Sequence, residues 1–241
     1  FYRDLPALVD APGHGAVYLF GGGINNFPNP ETYLGDLWKW NGTTWTFLNP
    51  ATQPLARYRT AIAYDSLRNR LFMYGGAFNR QGIADARLFD GTNWIDITSP
   101  GTTAPGPRLN HLMVYDSLRD RFIMCGGSTS QDPGLNINFS DTWEFNPNNN
   151  TWTQLEASSA ELPQRLVYDS ARNMPLGYGA PNSGGGVYPS SAIYEWTGTT
   201  WNKRVIFPQP SPRINVGWAF DRARGRAVLY AGNEANSFAR E

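Results

Sequence analysis

The sequence predicts an all-β protein made of one repeated unit, and three observations support this fold class. An aspartate at the end of an apolar run recurs at intervals of 55, 51, 53 and 52 residues. The recurring positions are Asp10, Asp65, Asp116, Asp169 and Asp221. Between these points, apolar and polar residues alternate with a period of two, and the chain carries 25 glycines and 18 prolines. A fixed period of about fifty residues is typical of repeat architectures, and the alternation between frequent turns is typical of strands in a meander.

Each unit is predicted to contain four short strands, and the third unit shows them most clearly. Residues 109–115 and 121–124 are apolar runs rich in β-formers, whereas 141–145 and 151–155 alternate. The first two strands of a unit are joined by a segment such as Asp-Ser-Leu-Arg-Asn-Arg. Asparagine, aspartate or glycine near its end predicts a left-handed residue there. These residues are Asn69, Asp120, Asn173 and Gly225.

The outer half of each unit carries a second regularity. Its third strand begins at Asp36, Asp85, Asp141 or Ala192. A tryptophan follows 9, 9, 11 and 9 residues later, at Trp45, Trp94, Trp152 and Trp201. A large aromatic residue that recurs once per unit is interpreted as a packing residue between neighbouring units.

A glycine pair after an apolar strand, an Asp-x-x-x-aromatic strand and then this tryptophan together resemble the kelch repeat. The resemblance covers roughly residues 3–235, and the Asp-Thr-Trp-Glu-Phe segment at 141–145 is similar to bacterial kelch-like proteins, such as the central domain of galactose oxidase. It implies a β-propeller with four-stranded antiparallel blades, strand one of each lying nearest the axis.

The whole chain, residues 1–241, is predicted to form a single propeller domain of about four and a half blades. The blades are expected at residues 2–50, 55–100, 106–157 and 162–207, with a partial blade at 212–233. Because a propeller covers its strand edges by closing its ring, the count leaves two alternatives. Either the chain is part of a longer one, which we favour, or a partner completes a five-bladed ring.

Long variable loops are predicted between strands two and three. Together with the inter-blade loops they should emerge on one face, where binding residues usually reside. Amide, aromatic and basic side chains in these loops suit a protein surface or a carbohydrate, although solvated loops without a ligand are the alternative. The candidates are Asn25, Asn26, Phe27, Tyr33, Phe78, Asn79, Arg80, Asn136, Asn138, Phe139 and Tyr188.

An arginine recurs just before strand one, usually after a proline. These arginines are Arg57 (with Arg59), Arg108, Arg165 and Arg213. By symmetry they would surround the central channel and attract an anion or a carboxylate. The alternative interpretation, which we favour, is that each one bonds loop carbonyls or an aspartate of a neighbouring blade.

Catalytic chemistry finds little support. A copper-radical oxidase of the galactose-oxidase type would need two histidine and two tyrosine ligands and a cysteine joined to a tyrosine. His14, His111 and Cys125 are the only histidines and cysteine, and they lie in a turn, at a strand entry and inside an apolar strand. The Asp90–Trp94 segment is only a faint echo of the aspartate boxes of sialidases. We therefore predict no enzyme, no catalytic residue, no metal site and no cofactor.

Charge and composition narrow the class of partner. Twenty basic and twenty acidic residues balance, which argues against a nucleic-acid surface, and no apolar run is long enough to span a membrane. Low charge, nine tryptophans and three Asn-x-Ser/Thr sites predict an extracellular, cell-surface or periplasmic location. The predicted function is a non-enzymatic interaction module or scaffold that binds a protein partner within a larger assembly. The alternative is a carbohydrate-binding propeller at the cell surface.

Overall fold

The computed structural model of the protein describes residues 3–24, 32–98, 103–132, 134–159, 161–180 and 190–234. These residues form twenty-two β-strands and one short 3-10 helix. Four antiparallel four-stranded sheets follow one another along the chain, which confirms the all-β propeller class. No helix within the described ranges is long and apolar enough to cross a membrane.

The first two blades contain the strands of the N-terminal half. Blade I consists of β1 (Ala7–Ala11), β2 (Ala16–Ile24), β3 (Thr32–Trp40) and β4 (Trp45–Leu48), with the 3-10 helix Pro12–His14 between β1 and β2. Blade II consists of β5 (Ala61–Asp65), β6 (Arg70–Tyr74), β9 (Ala86–Phe89) and β10 (Trp94–Asp96). A small hairpin, β7 (Ala77–Phe78) and β8 (Gln81–Gly82), lies between its second and third strands.

The remaining strands form two complete blades and half of a fifth. Blade III consists of β11 (Leu112–Asp116), β12 (Arg121–Cys125), β13 (Thr142–Asn146) and β14 (Thr151–Glu156). Blade IV consists of β15 (Arg165–Asp169), β16 (Met174–Ala180), β17 (Ser190–Trp196) and β18 (Trp201–Arg204). The half-blade V pairs β20 (Gly217–Asp221) with β21 (Arg226–Tyr230), and β19 (Arg213–Ile214) with β22 (Asn233–Glu234).

The first strands of successive units lie side by side in the order β1, β5, β11, β15 and β20. Apolar side chains fill the spaces between blades. Phe72 of blade II, for example, stacks on Phe145 of blade III with 4.4 Å between ring centroids. The tryptophans Trp94 and Trp152 are buried in two such interfaces, as their spacing predicted.

The turn between strands one and two is built as predicted. The Asp65 carboxylate accepts hydrogen bonds from the backbone N–H groups of Leu67 and Arg68 at 3.1 and 3.0 Å. Asn69 adopts a left-handed conformation with φ of 53°. Asp120, Asn173 and Gly225 have φ of 55°, 55° and 61° at the same position in later repeats.

The first unit departs from the predicted alignment of aspartates. Phe20 precedes the first glycine pair as Tyr74 precedes the second, and these residues pair with Ala7 and Ala61. Counting from there, Ala11 rather than Asp10 occupies the position of the turn aspartate, so the Asp10 alignment was wrong by one residue. The 3-10 helix Pro12–His14 replaces the aspartate-bonded turn, which explains the longer interval of 55 residues.

Candidate binding site on the loop face

The long loops emerge on one face of the propeller, which we call the loop face. The segment just before strand one pairs with the residue that follows the glycine pair after strand two. These bridges join Asp4 to Gly23, Tyr58 to Ala77 and Leu109 to Ser128. They hold the inter-blade segments next to the loops between strands two and three. The hairpins that join strands one and two lie at the opposite end of the strands, on the turn face.

A cleft of about 200 Å³ opens on the loop face where blades I and II and a loop of blade III meet. Its lining combines aromatic, charged and amide side chains with two backbone glycine and isoleucine segments. The lining residues are Asp4, Leu5, Gly23, Ile24, Tyr33, Tyr58, Arg59 and Gln131. Two residues proposed from the sequence, Tyr33 and Arg59, therefore meet in one cavity.

One wall of the cleft is aromatic. The rings of Tyr33 and Tyr58 stack almost in parallel, with centroids 5.2 Å apart and planes inclined by 6°. Phe78 packs against Tyr33 with 5.1 Å between centroids, and it is 41% exposed. Because Tyr58 is buried, Tyr33 and Phe78 are the rings of this wall that a ligand can reach.

The polar side of the cleft is fixed by a hydrogen-bonded group. In the amide orientation that satisfies its neighbours, the Gln131 oxygen accepts from Arg59 Nε at 2.8 Å and Nη2 at 2.7 Å, and its nitrogen donates to the Tyr58 hydroxyl. The backbone of Arg59 is held as well. Its N–H donates to the Leu5 carbonyl at 3.1 Å, and its own carbonyl accepts from Asn110 N–H at 3.1 Å.

Two of the candidate arginines have a structural role. Arg57 is fully buried, and its guanidinium donates to both Asp85 oxygens and to the Gly75 carbonyl at 2.9 Å. Burial acts to raise the pKa of Asp85, but hydrogen bonds and charge from Arg57 and Arg87 outweigh it and hold that pKa below its usual range. The placement of Arg57 around an open channel is therefore corrected.

Arg108 repeats the arrangement one blade later. It is 1% exposed and donates to Asp141 at 2.8 and 3.0 Å and to the Gly126 carbonyl at 3.0 Å. The candidate Phe139 lies over its guanidinium at 4.2 Å from the ring centroid. Phe139 and Arg108 thus contact each other rather than an open channel. The favoured interpretation of the arginines described this geometry, except that the aspartate belongs to the same blade.

The same arginines also link neighbouring blades through their backbone. The Arg57 carbonyl accepts from Gly22 N–H at 2.8 Å, and the Arg108 carbonyl accepts from Gly76 N–H at 2.9 Å. A Cβ atom on Gly75 would lie 2.6 Å from the Arg108 carbonyl oxygen, and Gly75 has φ of 61°. The glycine pair is therefore required by both close approach and backbone conformation.

The first and fifth repeats keep part of this arrangement. Arg3 donates to Asp36 at 2.9 and 2.6 Å and to the Gly21 carbonyl at 3.0 Å. Arg213, the last arginine candidate, donates to the Ala231 carbonyl at 3.2 Å. Arg165 differs, because it lies inside β15 and donates to the Val216 carbonyl at 2.9 Å.

The other loop candidates lie near the cleft but do not line it. Asn79 and Arg80 form the left-handed turn between β7 and β8, and Arg80 pairs with Asp132. Asn136 and Asn138 are exposed on the blade III loop and bond each other at 3.4 Å. Four further candidates, Asn25, Asn26, Phe27 and Tyr188, fall outside the described residues.

Sequence reasoning missed several residues of this face. Tyr58 and Gln131 complete the cleft, and Leu135 and Ile137 are 65% and 64% exposed on the loop that carries Gln131. Apolar residues inside an asparagine-rich loop were a readable signal. The part played by Gln131 was not, since it depends on a contact across 73 residues of chain.

The histidines and the cysteine lie in separate structural environments. His111 is buried against the edge of the Tyr74 ring, and burial together with Arg108 lowers its pKa to about 3. His14 accepts or donates at 2.8 Å to the Tyr18 hydroxyl on the turn face. Cys125 is buried, which raises the pKa of its thiol. Across the described ranges, no three His, Cys, Asp or Glu residues are grouped to hold a metal ion.

Comparison with known proteins agrees with this geometry. A family model described as the KLHDC2/KLHL20/DRC7 Kelch-repeats domain matches residues 9–217. The kelch domain-containing protein 3 of rat, mouse and human is 26% identical over 153 residues, which cover 58% of this chain. The match spans 37% of the length of each relative. With four blades of the predicted kind and a family match over most of its length, the chain belongs to the kelch-repeat family of β-propellers.

Proposed function

We propose that this chain is a non-enzymatic interaction module whose loop-face cleft binds a segment of a protein partner. Kelch propellers are typically protein-interaction modules, which supports the general class. The observation that carries the specific proposal is the cleft itself. Three blades bring two stacked tyrosines, an arginine and a glutamine together in one cavity of about 200 Å³.

The composition of the cleft suits protein recognition. Tyrosine and arginine are enriched among the residues that dominate binding energy at protein interfaces. Arg59 brings a positive charge and Asp4 a negative one, so the cleft offers partners for both charges of a polypeptide. The hydrogen bonds that hold Arg59 to Gln131 lower the entropy that must be lost when a ligand orders this side chain.

The surroundings of the cleft favour a protein over a carbohydrate. Leu5, Phe78, Leu135 and Ile137 expose between 41% and 65% of their surface on this face. Branched aliphatic side chains add apolar area that a peptide can cover, whereas a sugar is recognised by polar groups and flat aromatic faces. One face of Tyr33 is already occupied by Tyr58. Carbohydrate binding at the cell surface is the second candidate, supported by the exposed amides of Asn136 and Asn138.

The test is a selection of binding peptides from a random displayed library, followed by affinity measurement with the purified chain. We expect the selected peptides to bind Tyr33→Ala and Arg59→Ala variants at least ~10-fold more weakly, a loss of about 1.4 kcal/mol. Leu118→Ala is the matched control, because Leu118 is 64% exposed in the turn between β11 and β12, on the turn face.

Two results would contradict the proposal. If the Tyr33 and Arg59 variants bind the selected peptides as tightly as the unchanged chain, the cleft is not the site. If the library yields no binding peptide while a glycan array yields a reproducible ligand, the carbohydrate alternative replaces it. The extracellular, cell-surface or periplasmic location stays a prediction, and fractionation of the source cells would test it.

A further inference from the structure

The second strand of the half-blade V has an open edge. In the four complete blades, the second strand is hydrogen-bonded on both sides, to the first strand and to the third. β21 occupies the second-strand position in the fifth repeat. Over the described residues it pairs with β20 alone. Its outer backbone N–H and C=O groups therefore form an edge to which another strand can add.

The face of β21 is uncovered as well. Val228 and Tyr230 are 47% and 77% exposed. Phe72 and Tyr74 occupy the same positions in blade II and are 0% and 2% exposed, because blade III packs on them. The equivalent Ile123 and Cys125 of blade III are likewise buried, at 0% and 1% exposure.

The half-blade is nevertheless built like its complete counterparts. Asp221 bonds the turn N–H of Arg224 at 3.1 Å, as Asp65 bonds that of Arg68. Ala231 and Gly232 have φ of 55° and 90°, close to the values of a glycine pair. β19 and β22 repeat the bridge that joins the inter-blade segment to the residue after that pair. The geometry up to the third strand is thus already in place.

The register of the missing strand follows from the four complete blades. Taking the turn aspartate as the origin, or Ala11 in blade I, the residue eight positions on always faces the third residue of the third-strand motif. The pairs are Leu19 with Trp38, Met73 with Arg87, Met124 with Trp143 and Gly177 with Tyr194. By the same count, Leu229 would face the motif tryptophan and Val228 the residue after it.

We propose that the open edge of β21 is a docking site for a β-hairpin of a separate polypeptide, of the Asp-x-Trp-x-aromatic type that forms the third and fourth strands of this repeat. The hairpin adds antiparallel to β21, and its first strand supplies the ladder that β3, β9, β13 and β17 supply elsewhere. Main-chain hydrogen bonds give affinity, and the alternating side chains fix the register. The interface continues the pairing seen in the complete blades.

A synthetic peptide that copies residues 140–156 is a suitable probe, because these residues form the third and fourth strands of blade III. Cysteine is placed at the peptide's Glu144, Trp143 or Phe145 position and tested against the Val228→Cys chain under mild oxidation. Directly opposed residues on antiparallel strands can be bridged, whereas their sequence neighbours point to the other face. Cys125 does not interfere, because it is 1% exposed.

We expect cross-linking of the Val228→Cys chain to the peptide with cysteine at the Glu144 position, at least ~10-fold above the other two peptides. The matched control is Leu118→Cys, an exposed thiol in a turn, which should cross-link none of them selectively. Equal yields from all three peptides, or from a scrambled peptide, would overturn the proposal. Selective formation of a Val228→Cys homodimer in the presence of the peptide would also overturn it, because a second copy would then occupy the edge.

Discussion

At the scale of single residues, the arginine before strand one joins more partners than any other side chain of the repeat. Its guanidinium binds the aspartate of strand three and a carbonyl of the glycine pair, while its backbone carbonyl accepts from the preceding blade. Arg108 does this in full burial, whereas Arg3 is 21% exposed. An identical set of bonds therefore exists in a buried and in a solvated form within one chain.

Replacing Arg108 should cost much more stability than replacing Arg3. Arg108→Met leaves the Asp141 carboxylate buried without its counter-charge, and we expect a loss of about 3–5 kcal/mol in the free energy of unfolding. Arg3→Met leaves Asp36 in contact with water, and we expect about 1 kcal/mol or less. Urea denaturation of both variants measures the difference. Equal losses would show that burial of this pair does not set its importance.

His111 predicts a dependence of stability on pH. The folded chain holds it neutral with a pKa of about 3, whereas the unfolded chain binds a proton near pH 6.5. Between these values the unfolded state carries more protons, so stability is complete above pH 6.5 and falls as the pH drops. We expect a loss of about 2 kcal/mol between pH 7 and pH 5.

Urea titrations at the two pH values, on the unchanged chain and on His111→Leu, measure this effect. The substitution should remove most of the loss between pH 7 and pH 5, even if it lowers stability overall. His14→Gln is the control, since His14 is the only other histidine and lies exposed on the turn face. A loss that persists in His111→Leu would assign it to other groups.

At the scale of the strand and the blade, the sequence predicts what depends on local chemistry. The left-handed turn residues, the glycine pair and the tryptophan spacing each follow from residue types a few positions apart, and all appear as predicted. The alignment of Asp10 failed because the 3-10 helix Pro12–His14 changes the turn while a neighbouring aspartate imitates the pattern. The cleft was only half predictable, since Gln131 reaches Tyr58 and Arg59 from another blade.

The ends of the blade stack predict unequal effects of one substitution at equivalent positions. Tyr74→Ser removes a ring that packs against Trp152 and a hydroxyl that bonds the Pro105 carbonyl, and we expect a loss of about 3 kcal/mol or more. Tyr230→Ser removes a ring that is 77% exposed, and we expect a change within about 0.5 kcal/mol. Thermal and urea unfolding of both variants would decide. A large loss for Tyr230→Ser would mean that its ring is covered in solution.

At the scale of the whole molecule, the two ends of the blade stack approach each other on the turn face. Arg222 of the half-blade V lies 3.4 Å from Asp10 of blade I, and both side chains are about half exposed. Leu8 of blade I is 61% exposed, although its counterpart Ile62 in blade II is buried. The chain thus presents three distinct surfaces: the loop-face cleft, the open β21 edge and the turn face.

The most direct test of the central claim is hydrogen–deuterium exchange of the chain, free and saturated with a peptide selected from the displayed library. Binding in the cleft predicts slower exchange of backbone amides at residues 4–5, 23–24, 58–59 and 129–132, with unchanged exchange in the turns near Leu67 and Leu118. Protection confined to the turn face or to β21 would contradict the assignment of the loop-face cleft as the partner site.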